Sequence, residues 1–190
     1  MPIEHASNEV PRCHSSTIAR GDVTGAFEPA AWTDLYLMVG GAAAALTGLI
    51  FVAVSLHLRA VLRNPWHRGT AASSLLALMS VVLISGSLLV PSQPLPLLGA
   101  EIALISMVSP AYNAVALRHL PREKRTAAIV KVAVGMAGGI LAISAGISVA
   151  AQVGGGLWLL LPAAAIALAS AVLNAWRLMV DVAEEDPDTA

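Results

Sequence analysis

Residues 32–63 read WTDLYLMVGGAAAALTGLIFVAVSLHLRAVLR, and between Asp34 and Arg59 the stretch carries no Asp, Glu, Lys or Arg. A helix needs about 20 mostly apolar residues to cross a bilayer core, so this run predicts a transmembrane helix over 32–62 that enters on an acid and leaves on arginines. Working outward, further apolar runs occupy 70–90, 96–117, 126–151 and 157–180. Two of the breaks between runs, Pro91-Ser92-Gln93-Pro94-Leu95-Pro96 and Gly154-Gly155-Gly156, are short and uncharged, built from the two poorest helix formers. The other two, residues 59–69 and 118–125, are basic. The expected fold class is all-α: an integral membrane bundle of five transmembrane helices spanning residues 31–181.

Composition points the same way. Of 190 residues, 57% are hydrophobic and 12% charged, with a mean hydropathy of +0.75. Soluble domains carry about 25% charged residues, and a chain with half that charge does not cover a water-facing surface. The formal net charge of -1 gives no reason to expect a nucleic-acid partner. Cys13 is the single cysteine, which excludes an internal disulfide and a paired-cysteine metal cluster.

Charge placement predicts the orientation. Arg59, Arg63, Arg68, Arg118, Arg122, Lys124, Arg125, Lys131 and Arg177 fall on one side of the five spans, and only Arg12 and Arg20 fall on the other. Short loops rich in Lys and Arg stay cytoplasmic, so the amino terminus is expected outside and the carboxyl terminus inside. Arg59, Arg63, Arg68, Arg122, Lys124 and Arg125 are expected at anionic lipid headgroups, with Trp66 and Trp176 as interface anchors. Residues 1–30 lack the apolar core of a secretory signal and are read as a disordered or loosely ordered tail. Residues 182–190 are read as a solvated acidic tail.

In lipid, helices are held together by close backbone approach through small residues more than by hydrophobicity. Gly40, Ala44 and Gly48 in the first span, Gly138, Ala142 and Gly146 in the fourth, and Ala163, Ala167, Ala171 and Ala175 in the fifth repeat at four-residue spacing, which stacks them on one helix face. They are read as packing seams, within the chain and between copies of it, so a homo-oligomer is expected in addition to the lipid bilayer and a possible membrane-protein partner.

Ionisable and polar groups inside a span are costly and mark candidate sites. Glu101 lies about 8 Å inside the outer end of the third span by helical rise, whereas Asp34 lies at the edge of the first. Asn113 and Asn174 lie at comparable depth and are suited to bonding across helices, and Pro110 removes the helical donor of the Ser106 carbonyl and predicts a kink. Glu101, Asn113, Pro110 and Asn174 are the candidate pore or proton-site residues. His57, His67 and His119 cluster near one end of the spans but without ligand spacing, so no metal, haem or other cofactor is expected. No phosphate-binding loop, metalloprotease pair, elbow serine or serine with a base is present; no catalytic residue is assigned and an enzyme is not expected.

The first span, with Val39-Gly40-Gly41, Ala44-Ala45-Leu46-Thr47-Gly48-Leu49, Phe51-Val52-Ala53 and Ser55, resembles a family of small uncharacterised bacterial integral membrane proteins with a VGGxxAALTGLxFVAxS core. VPSQPLPLLGAEI, residues 90–102, looks like the same family's second hairpin. The two stretches cover about a quarter of the chain. The resemblance implies a multi-pass bacterial inner-membrane protein and carries over no functional residue. The leading expectation is a non-enzymatic protein of assembly or regulatory type. The alternatives are a small ion channel or transporter lined by Glu101, Asn113 and the Pro110 kink, and a haem or quinone protein.

Overall fold

The computed structural model describes residues 23–63, 65–118 and 122–185. Lipid offers no partner to backbone amides and carbonyls, so each apolar run satisfies them within itself as a helix. The helices are α1 (Thr33–Leu56), α2 (Leu58–Arg63), α3 (Pro65–Leu88), α4 (Leu95–Arg118), α5 (Arg122–Ala151) and α6 (Leu160–Glu185). Among the described residues the regular structure is entirely helical. Five helical stretches, Pro29–Leu56, His67–Leu88, Leu95–Arg118, Val132–Ala151 and Gly156–Arg177, are long and apolar enough to cross a bilayer. The chain is a multi-pass membrane protein.

The basic connections are more helical than the sequence suggests. The break at His57 is a bend, across which the Val61 amide donates to the His57 carbonyl at 3.0 Å and restarts the ladder as α2. Pro65 then opens α3, five residues before the expected start at 70; its fixed φ suits a first helical turn, where its missing N–H has no partner to lose. Arg122 to Arg125 form the first turn of α5. His119 and the side chains of Arg59, Trp66, Arg122, Lys124 and Arg125 lie outside the described residues, as do residues 1–22.

At the opposite end both hairpins turn on left-handed residues, with Ser92 at φ 60° and Gly156 at φ 49°. Gly156 has a second reason to be glycine, since a β-carbon there would lie 2.9 Å from the Phe27 ring and closer still to the Ala26 carbonyl. The Ser148 hydroxyl accepts from the Gly156 amide at 2.9 Å and donates to the Val153 carbonyl. Residues 23–30, which the sequence assigns to a loose tail, tuck beneath this hairpin in short 3-10 turns. There the Trp32 indole donates to the Gly25 carbonyl at 2.6 Å, and its ring meets Trp158 edge-on at 4.6 Å.

The packing neighbours are α3 with α4, α4 with α5, α5 with α6 and α6 with α3, so these four helices form a ring, while α1 lies outside it against α3 and touches α6. The α4–α5 contact is the tightest. A β-carbon on Gly146 would lie 2.6 Å from the Ala103 amide nitrogen, and one on Gly99 would run into the backbone of Gly146 and Ala150. Gly40 seats α1 on α3 in the same way: a β-carbon on it would lie 2.7 Å from the Ser85 β-carbon. The rest of the Gly40, Ala44, Gly48 stripe faces away: Ala44 and Gly48 are exposed, and nothing lies within 4 Å of a β-carbon on Gly48. The face of α1 that packs carries Val39, Ala43, Leu46, Ile50 and Val54.

Candidate functional site

The ring is filled at one end only. At the hairpin end, Ile84 and Leu88 of α3, Leu98 and Ile102 of α4, Ala145 and Val149 of α5, and Leu157 and Leu160 form one buried apolar cluster with Trp32 and Tyr36. The Tyr36 hydroxyl donates to the Leu157 carbonyl at 3.2 Å and ties α1 into this plug. Toward the basic end the ring surrounds a half-open cavity of about 850 Å³, inside the range of about 300–1,000 Å³ typical of small-molecule sites.

The cavity exists because the inward faces of α5 and α6 are made of residues too small to fill it. Gly135, Gly138, Gly139 and Ala142 line it from α5, and Ala163, Ala164 and Ala167 from α6. Several of these residues are also seams: a β-carbon on Gly138 would lie 3.0 Å from Ile166 of α6, and one on Gly139 3.0 Å from the Pro110 ring. Of the fifth-span alanines, Ala171 is buried against the α1–α3 contact, with Ala167 and Ala175 packed beside it.

The opposite wall is hydroxylated. Arg68, Thr70, Ser73, Ser74, Ser80 and Ser85 face the cavity from α3, and Ser106, Ser109, Tyr112 and Asn113 from α4. Four of these polar groups satisfy themselves within their own helix, as side chains in lipid must. Ser73 and Ser74 donate to the Thr70 carbonyl at 2.9 and 3.1 Å, Ser80 to Leu76 at 2.8 Å, and the Asn113 amide to Ser109 at 3.0 Å. Two groups differ: the hydroxyls of Ser85 and Ser106, in residues only 3% exposed, have no hydrogen-bond partner. A buried hydroxyl left without one costs about 1–3 kcal/mol, so these two are the groups best placed to bond a guest.

Asn174 and Asn113 both line this cavity from different helices. The Asn174 amide donates across to the Ser74 hydroxyl at 3.2 Å, pinning α6 to α3. Pro110 is near the cavity through its contact with Gly139 without lining it, and Glu101, half-buried on α4, does not line it either. Sequence reasoning missed the serine wall. Its signal was present in the spacing of Thr70, Ser73, Ser74 and Ser80, which share one helical face, but serine in a span is cheap to satisfy locally and draws less attention than an acid. Among the described residues no group of three His, Cys, Asp or Glu is placed to hold a metal ion.

No family model matches this chain, and neither a curated protein nor a solved structure matches it.

Proposed function

We propose that the protein is a small, non-enzymatic transporter or channel of the bacterial inner membrane, with its amino terminus outside and its carboxyl terminus inside, that takes a solute into the ring of α3 to α6. One observation carries this function: a cavity inside the helical ring, apolar over most of its surface, with hydroxyls and amides along one wall and an apolar plug at the hairpin end. Polar groups at membrane depth are tolerated where they line a wet cavity, and among them the Asn174–Ser74 pair ties two helices together. In the proposed orientation the cavity opens to the cytoplasm.

Uptake into proteoliposomes of neutral lipid tests it, with glycerol and succinate as probes. At least one probe should enter faster than in protein-free vesicles, and Ser109→Trp or Ala77→Leu, which fill the cavity, should cut that rate at least ten-fold. Uptake no faster than in empty vesicles, or unchanged by both variants, refutes the proposal. A second function, assembly through self-association, is favoured by the outer face of α1, where Gly41 and Gly48 have open space around them beside exposed Leu37, Leu49 and Val52. Cross-linking from Gly48→Cys on that face tests it.

A further inference from the structure

We propose that the ligand of this cavity is an anion, a carboxylate or phosphate bound between Arg68 of α3 and Arg177 of α6, with its polar body against the serine and asparagine wall. The inference rests on the solute-binding function above and names its substrate class. Among the described residues, the charged side chains that line the cavity are Arg68 and Arg177. Among the described residues neither arginine makes an ion pair, although both belong to neighbouring helices of the ring.

Their levels match. The Asn174–Ser74 hydrogen bond fixes α6 against α3, and from that point Arg177 lies three residues and Arg68 six residues toward the basic end, about 4.5 and 9 Å by helical rise. Side chains as long as arginine close that difference. Two guanidinium groups at the rim of one cavity attract anions and repel cations, and their planar forks suit the paired oxygens of carboxylate and phosphate. Of the unpartnered hydroxyls, that of Ser85 lies about 25 Å by helical rise from the level of Arg68, and Ser85 and Ser106 belong to the deep end of the cavity, not to the anion site.

The anion has two routes in. One is the aqueous mouth. The other is the wall between α5 and α6, where Val134 and Leu173 line the cavity yet are 46% and 58% exposed; this slot faces the surrounding lipid one turn from Arg177. The ligand source is therefore either a free anion or the headgroup of an anionic lipid.

The experiment follows thermal unfolding by tryptophan fluorescence in phosphatidylcholine nanodiscs. Inorganic phosphate or succinate should raise the midpoint above that in sodium chloride of equal ionic strength. Arg68→Gln and Arg177→Gln should each weaken the effect at least ten-fold in midpoint concentration, and Arg118→Gln, exposed and off the cavity, should leave it unchanged. If discs containing phosphatidylglycerol give the arginine-dependent shift without added anion and phosphate then adds nothing, the source is the lipid headgroup. A shift in neither system, or one that survives in both variants, overturns the inference. Cavity-dependent glycerol uptake in that case leaves the solute-binding function standing, whereas loss of both removes the two together.

Discussion

Glycines that look alike in this sequence do different jobs, and the distinction is whether a backbone lies opposite them. Gly146 faces the Ala103 backbone of α4, which has no flexible end to yield, so Gly146→Ala forces α4 and α5 apart. Overpacking of this kind costs about 1–3 kcal/mol. Gly48 has nothing within 4 Å, and Gly48→Ala should be neutral or gain up to about 1 kcal/mol from helix propensity. Thermal unfolding of the two purified variants checks the contrast; equal midpoints would show that the α4–α5 approach is not as close as described. The four-residue spacing was legible in both stripes. What covers each glycine was not, because spacing places a residue on a face without saying which neighbour that face meets.

Among elements, α3 and α6 depend on one side-chain bond at depth. Asn174→Leu removes the Asn174–Ser74 hydrogen bond, and interhelical bonds of this type average about 0.6 kcal/mol in a membrane protein, so the stability loss should be small. The larger expected effect is on the site: without that tie the two arginines lose their common level, and the midpoint concentration for phosphate in the nanodisc assay should rise several-fold while the unfolding temperature without anion hardly moves. The hairpins carry the topological prediction. In a Cys13→Ser background a cysteine at Ser92 should react with a membrane-impermeant thiol reagent from outside, and one at Arg122 only after the inner face is exposed. Labelling of Arg122→Cys from outside would reverse the orientation and the side on which the cavity opens.

For the whole molecule, four ring helices and one outrigger explain why the same small residues build both contacts and a void. A bundle of four around an axis closes only if inward side chains fill it, and here they do so at the hairpin end, with Ile84, Leu98, Ile102 and Val149, and not beside Gly135, Gly139 and Ala167. Filling the void should therefore stabilise while it inactivates. Ala77→Leu is expected to raise the unfolding midpoint modestly while abolishing the cavity-dependent uptake, and a variant losing stability and uptake together would place Ala77 in a packed contact. The α1 helix, outside the ring, leaves its apolar outer face to lipid or to another chain.

By itself the sequence determined that the chain forms five helices long and apolar enough to cross a membrane, because the bilayer demands length and internal hydrogen bonding that any single run either has or lacks. It also put Asn113 and Asn174 at matching depth. Only the tertiary structure decided that α1 stands outside the ring, that Glu101 is off the cavity, and that Arg68 and Arg177 share its mouth. Helix order in a ring depends on which small-residue faces meet, and in lipid, where every outward apolar face is equally content, that choice is made by close packing between helices distant in the chain.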